Sequence, residues 1–392
     1  MKKKILIVDD SALMRRVLCD IINSDDRFEV ADIAKDGAEG FKFLVSRKYD
    51  AVVLDVYMPK MTGLDMLREL QKSNVHANVL MASTTTGEGA RETIEALELG
   101  AIDFIKKPEN VANARNDDFK LRFLELLNTV ALARPVHFTA SQINLKKPAA
   151  FTSRYDVNFH NRPGDITKGL QTASESGSRS SQASPGGAGS QVKAIPPRSG
   201  RKIVAIASST GGPKALQVVI PKLPKNLKAP VLLVQHMPKG FTKSLAERLS
   251  SLGEIPVTEA VDGELIREGH VYIAQGGLHM NAEPTGANML MIRYSDEPAR
   301  EGVKPCANYM FESLANSKYD EIVCVVLTGM GCDGTAGILN LKKKKNVRVI
   351  AQNEDTCIVY GMPRSIVQSG ATNEVVPLED VAEQIIKNVG VY

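Results

Sequence analysis

The sequence predicts two α/β domains, each built on a mainly parallel sheet, joined by a flexible linker. Three observations carry this. Short apolar runs alternate with amphipathic helical segments in two separate regions, which is the layout of βα units around a parallel sheet. Between those regions lies a stretch dominated by Ser, Gly, Pro, Gln and Arg, which cannot bury enough apolar surface to fold. Several apolar runs also stop on an acid, a hydroxyl or a histidine, and parallel sheets place their ligands at that end.

In the first region Ile5–Val8, Val30–Ala34, Ala51–Leu54, Val79–Ala82 and Phe104–Ile105 read as short buried strands. Leu13–Ile22, Gly37–Leu44, Leu64–Leu70 and Arg91–Leu99 read as the helices between them. From about 135 the pattern dissolves, most strongly over Ser174 to Gly200. A flexible chain of about 65 residues spans roughly 40–50 Å end to end, too loose to hold two domains in one pose. Control of one domain by the other therefore needs a real interface, and Phe138, Phe151, Tyr155 and Phe159 read either as a short docking segment or as residual apolar residues in a disordered stretch. Order resumes at Arg201, where Ile203–Ala207, Val231–Val234, Val271–Ala274, Ile322–Leu327 and Val347–Ala351 are the predicted strands.

Composition narrows the class. A chain of 392 residues has room for two domains, and 43% hydrophobic with 24% charged residues is a globular balance. The net charge of +4 is too mild for a nucleic-acid binder, which needs a concentrated basic stripe. Cys19, Cys306, Cys324, Cys332 and Cys357 form no C-x-x-C pair, which argues against a disulfide framework and fits a reducing compartment. Asp9 and Asp10 cut the first apolar run too short for a signal peptide, and no stretch approaches the ~20 apolar residues of a membrane span. The expectation is a cytoplasmic protein with no membrane insertion.

Asp9 and Asp10 follow the first predicted strand and Asp55 the third, so three acids converge on one rim. Crowded carboxylates repel unless a divalent cation neutralises them, and Mg²⁺ suits such a site. One carboxylate can then attack a phosphoryl donor. Ser83 ends the fourth strand as a hydrogen-bond donor for a phosphoryl oxygen, and Lys107 follows the fifth as a point charge. Val8-Asp9-Asp10-Ser11, Leu54-Asp55-Val56-Tyr57-Met58-Pro59 and Asp103-Phe104-Ile105-Lys106-Lys107-Pro108 resemble the receiver domain of response regulators. The resemblance implies a flavodoxin-like (βα)5 fold over 1–125, followed by the linker over 126–200. It implies Asp55 as phosphoacceptor, Mg²⁺ held by Asp9, Asp10, Asp55 and the Tyr57 carbonyl, and Ser83 with Phe104 as a switch pair.

In the second region a strand breaks at Ser208-Ser209-Thr210-Gly211-Gly212-Pro213 before a helical segment, a turn that holds a serine out from the sheet. The next strand ends at Gln235-His236-Met237-Pro238, where an imidazole can take the hydroxyl proton. A third ends in Thr328-Gly329-Met330-Gly331-Cys332-Asp333-Gly334. There Asp333 can orient the imidazole, and the backbone around Met330 can face an oxyanion. A phosphate-binding turn is the bland alternative, but neither G-x-x-x-x-G-K-[ST] nor G-x-G-x-x-G is present. His270 and His279 receive no catalytic role, and Lys342–Lys345 reads as a solvated helix end. Pattern alone stops at a serine hydrolase.

Ser209-Thr210-Gly211-Gly212-Pro213, Gln235-His236-Met237-Pro238, Leu327–Gly334 and Tyr360-Gly361-Met362-Pro363 resemble the C-terminal domain of chemotaxis protein-glutamate methylesterases, the CheB family. The resemblance implies a doubly wound, Rossmann-like catalytic domain over 201–392. It implies Ser209 as nucleophile, His236 as base, Asp333 as its partner, the Met330 N–H as oxyanion donor and Thr210 as support for the histidine. The substrate would be methyl-accepting chemotaxis receptors, demethylated at glutamate and deamidated at glutamine, and a chemotaxis histidine kinase would be the phosphodonor. The alternative of another class is a receiver joined to a catalytically silent binding module. Three departures from the family pattern stand out: Ala207-Ser208 for Gly-Ala, Gln275 for proline, and Cys306-Ala307-Asn308 for Ser-x-Asp. The added methyl at Ala207 is expected to tighten the turn and Ser208 sets a second hydroxyl beside the nucleophile, while Gln275 and Cys306-Ala307-Asn308 are expected to shape the receptor groove rather than the chemistry.

Overall fold

The computed structural model describes residues 1–83, 87–108, 116–133, 200–286 and 289–392. Both predicted sheets form, and both belong to one compact unit. The first contains β1 (Lys3–Val8), β2 (Phe28–Ala34), β3 (Ala51–Asp55), β4 (Val79–Ser83) and β5 (Asp103–Lys106) in the order β2-β1-β3-β4-β5, all parallel. That is the flavodoxin-like order, with its crevice between β1 and β3.

Helices α1 (Ala12–Asn23), α2 (Gly37–Ser46), α3 (Gly63–Lys72), α4 (Gly87–Glu98) and α5 (Asp117–Leu132) cover the sheet. Their starts are written locally. Ser11 caps α1, Asp36 caps α2, and Thr62 with Asp65 forms a capping box on α3. Gly63 is required by a close approach, since a Cβ there would lie 2.2 Å from the Asp55 carbonyl oxygen. The predicted helix Arg91–Leu99 starts earlier, at Gly87. Phe138, Phe151, Tyr155 and Phe159 lie outside the described residues.

The second sheet is larger than the sequence suggested. Its strands are β6 (Lys202–Ser208), β7 (Val231–Gln235), β8 (Val257–Glu259) and β9 (Val271–Ile273). An antiparallel ribbon of β10 (His279–Pro284) and β11 (Leu290–Ser295) follows, before β12 (Glu321–Val326), β13 (Asn346–Gln352) and β14 (Glu374–Val376). The order β14-β13-β12-β6-β7-β9-β8 is parallel throughout. The chain runs from β6 outwards on one side and returns on the other, so the switch point lies between β6 and β12. Doubly wound sheets bind ligands there.

Helices α6 (Gly212–Val219), α7 (Phe241–Leu252), α8 (Ala307–Ser313), α9 (Thr335–Lys342), α10 (Met362–Gln368) and α11 (Val381–Val389) complete the domain. The lysine run at the end of α9 is not simply solvated. Lys342 Nζ donates to the Ala371 carbonyl at 2.8 Å and Lys345 Nζ to that of Ser317 at 2.5 Å, closing neighbouring loops. Among the described residues no helix is long and apolar enough to cross a membrane.

The two sheets meet through α4 and α7. The Arg248 guanidinium forks the Glu98 carboxylate at 2.5 and 2.8 Å, and Arg91 reaches Glu247 at 3.3 Å. The Phe104 ring packs 4.5 Å from that of Phe241.

Candidate active site

The acids of the first sheet do converge. Asp9, Asp10 and Asp55 present oxygens within 4.8 Å of one another. Lys107 Nζ lies among them, 2.7 Å from Asp9 Oδ2 and 2.6 Å from Asp55 Oδ2. Burial pushes the Asp55 carboxyl up to about 6, against the pull of Lys107. Burial also works against the Lys107 charge, but Asp55 and Asp9 overcome it and hold the ammonium above its ordinary range. Asp9 Oδ2 is buried with Lys107 Nζ as its charged neighbour, and three converging carboxylates are an all-oxygen donor set that fits a divalent cation. Tyr57 lies two residues past the end of β3, and its N–H donates to Asp55 Oδ1 at 3.4 Å. The Ser83 hydroxyl is turned to α4, accepting from Thr93 Oγ1 at 2.6 Å and donating to the Gly89 carbonyl at 3.3 Å.

On the second sheet, His236 Nε2 lies 2.7 Å from Asp333 Oδ2. Ser209 and His236 follow the adjacent strands β6 and β7. The Gln235 carboxamide spans them, donating from Nε2 to the Ser209 carbonyl at 2.9 Å and to the His236 carbonyl at 3.2 Å. Of the two neighbouring serines, Ser208 is fully buried with its hydroxyl on Gln235 Oε1, whereas Ser209 is partly exposed on the rim. Ser209 is held by its N–H to the Thr328 carbonyl at 3.0 Å.

Asp333 is only 2% exposed and richly donated to. Besides His236 it receives the Cys306 S–H at 3.0 Å and the N–H groups of Ala307 at 2.6 Å and Asn308 at 2.9 Å. Burial pushes its carboxyl up, but the His236 hydrogen bond and charge, with Cys306 and Ala307, outweigh it and hold it below the usual range. The Asn308 side chain ties the loop further, accepting from Gly334 N at 3.1 Å and Gly337 N at 2.6 Å. Cys306 and Asn308 thus touch the carboxylate itself, which corrects the expectation that they only shape a groove. Sequence spacing gave no sign of this, because the contact crosses some 25 residues of chain. Gln235 and Thr328 were also missed. Their only signal is a polar residue directly after an apolar strand run. His279 Nδ1 accepts from Cys306 N at 3.1 Å and His270 Nε2 meets Thr258 Oγ1 at 2.8 Å, both structural contacts.

Met330 and Thr210 face the first domain. Thr129 Oγ1 donates to Met330 Sδ at 3.0 Å. The Thr210 hydroxyl, expected beside the histidine, bonds the Asp103 carboxylate of β5. Burial holds Asp103 above the usual range, against that hydrogen bond and the attraction of His236. A cavity of about 380 Å³ adjoins this contact, lined by Thr129, Leu132, Met330, Tyr360 and Arg364.

An acid-lined receiver sheet beside a hydrolase-type rim makes the chain a response regulator joined to a carboxylic-ester hydrolase. It matches the response regulator receiver domain family over residues 5–116 and the CheB methylesterase family over 204–385. A protein-glutamate methylesterase/protein-glutamine glutaminase of Geobacillus kaustophilus is 38% identical, covering 99% of each chain. One of Bacillus subtilis is 38% identical, covering 97% of each. The catalytic domain of the Thermotoga maritima CheB methylesterase is 41% identical over 48% of this chain and 99% of that one, with a TM-score of 0.46. The chain belongs to the CheB methylesterase family.

Proposed function

We propose that the chain demethylates glutamate methyl esters on methyl-accepting chemotaxis receptors, and deamidates specific receptor glutamines, under the control of Asp55 phosphorylation. The observation that carries the reading is the His236–Asp333 pair at 2.7 Å, tied through Gln235 to the main chain of Ser209. His236 uses Nε2 for Asp333, which leaves Nδ1 for the Ser209 hydroxyl. Ser209 Oγ attacks the ester carbonyl carbon while His236 takes its proton, and Asp333 stabilises the imidazolium. The Met330 N–H stabilises the oxyanion. His236 then returns the proton to the leaving methoxide, releasing methanol. Water, activated by the same imidazole, hydrolyses the acyl-enzyme to a glutamate carboxylate and regenerates Ser209. A glutamine follows the same course, with ammonia as the leaving group.

In the receiver, Asp9, Asp10, Asp55 and the Tyr57 carbonyl would hold Mg²⁺, which offsets charge on the phosphoryl group during transfer. Lys107 pairs with the acquired phosphate, and Ser83 turns from α4 to donate to it. Phe104, seated on Phe241, follows that movement and loosens the contact that buries Thr210 beside the rim. Inverting a 1:99 balance completely would take about 5.5 kcal/mol, so a partial switch is expected. A chemotaxis histidine kinase is the proposed phosphodonor.

The test is methanol release from a purified methylated receptor. Ser209→Ala should abolish release while receptor binding persists. Undiminished release would remove the assigned nucleophile.

A further inference from the structure

The ladder between β6 and β7 ends where the chemistry begins. Ser208 pairs with Gln235 in register, and His236 N donates to the Ser208 carbonyl at 3.1 Å as the last main-chain rung. Past that point the two chains diverge into different turns, one carrying Ser209 and the other His236. What crosses the gap is a side chain. Gln235 is 2% exposed, and its Nε2 donates to the carbonyls of both Ser209 and His236.

Carbonyls only accept, so the amide nitrogen must face them and Oε1 must face away. Oε1 then accepts the Ser208 hydroxyl at 2.7 Å. The carboxamide has one orientation with every polar atom used. Its slot is closed on the other side by Gly212, where a Cβ would fall 2.0 Å from Oε1. Gly212 N in turn donates to the Ser209 carbonyl at 2.7 Å, so the same oxygen is gripped from two directions.

We propose that Gln235 is a positioning residue for the hydrolase, a carboxamide clamp that fixes the main chain of Ser209 against that of His236, with Ser208 locking its orientation. This deepens the reading of Ser209 and His236 as the reacting pair and rests on it. The clamp acts on the distance over which the proton moves, and misplacement by about 1 Å at a reacting centre costs on the order of a hundredfold in rate. Ser208, which departs from the more usual alanine of the family, is thereby given a task that its fully buried hydroxyl fits.

The test uses the full chain, with Gln235→Met, which keeps length and removes the amide, Ser208→Ala, and the double variant. Two rates are read: methanol release from methylated receptor, and labelling of Ser209 by a fluorophosphonate, in which the serine oxygen bonds phosphorus and fluoride leaves. Gln235→Met should lower kcat and the labelling rate together by about 10–100-fold, with KM changed by less than about threefold. Ser208→Ala should cost a few-fold. In the double variant the two losses should not multiply, because both act on one carboxamide.

Wild-type labelling rates in folded Gln235→Met, or losses that multiply, would overturn the clamp. If Gln235→Met fails to fold, Ser208→Ala carries the test alone, and an unchanged labelling rate overturns the proposal. Wild-type chain that is never labelled at Ser209 removes the nucleophile and the clamp with it, whereas equal labelling of wild type and variants removes the clamp only.

Discussion

Asp55 and Asp333 are the same residue type, end up near the carboxyl ends of parallel strands, and are almost equally buried at 5% and 2% exposure. They are nonetheless perturbed in opposite directions. Burial drives Asp55 up to about 6 because, among the described residues, Lys107 and one long N–H bond are what oppose it. At Asp333 the same burial is overcome by an imidazole, a thiol and two N–H groups at the start of α8. Under the proposed function, the difference separates a switch from a catalyst. A pocket of under-compensated acids gains by taking up a cation or a changed charge, so it is suited to have two states. A carboxylate with its donors already in place has nothing left to reorganise during a reaction.

The comparison can be broken most severely at Asp333. Asp333→Asn keeps the shape but replaces the acceptor facing Nε2, and kcat for methanol release should fall by about 10³–10⁴. A loss under tenfold would mean that the carboxylate does not serve the imidazole.

The next effect is on stability, with opposite signs at the two acids. The folded Asp55 pKa of about 6 exceeds its ordinary 3.8, so the folded state binds more protons between those values and stability falls as pH rises through them. Asp55→Asn removes a penalty that is complete above pH 6. It should stabilise the first domain at pH 7.5 by at most about 3 kcal/mol, with the gain shrinking towards pH 4. The folded Asp333 pKa lies below ordinary, so its contribution is present above the ordinary value and lost as pH falls through the folded one. Asp333→Asn should therefore destabilise at pH 7.5, by about 1–3 kcal/mol. Denaturant unfolding of both variants at pH 7.5 and pH 5 reads the signs.

A smaller effect is expected where the regions touch. Phe104→Ala removes the ring on Phe241 and should weaken the contact by about 1–2 kcal/mol. Turnover without phosphodonor should rise about 5–30-fold if the contact covers the site. Unchanged basal turnover would mean that the contact does not limit access. Smallest is Cys306→Ser, which swaps one buried donor to Asp333 for a stronger one. Methanol-release kcat should stay within about threefold of wild type.

What could be read from the sequence follows the same division. The acid pocket was legible because each residue sits at the end of an apolar run, as Val8 passes to Asp9 and Leu54 to Asp55. The rim was legible for the same reason at Ser209 and His236. Its supports were not. Asp333 is held by Cys306, Ala307 and Asn308 from the start of another helix, a contact that no periodicity encodes. Strands β8 and β14, with three residues each, are too short to show a period, and the β10–β11 ribbon carries Asn, Glu, Pro and Arg among its apolar residues. The contacts made by Asp103 and Phe104 were equally hidden, because an interface follows from two surfaces and not from either sequence pattern alone.

The most direct test of a switched esterase is the rate of methanol release by the full chain from methylated receptor, measured before and after Asp55 is phosphorylated by a small donor with Mg²⁺. Release should accelerate on phosphorylation and vanish in Ser209→Ala under both conditions. Equal rates at verified Asp55 phosphorylation would contradict the account.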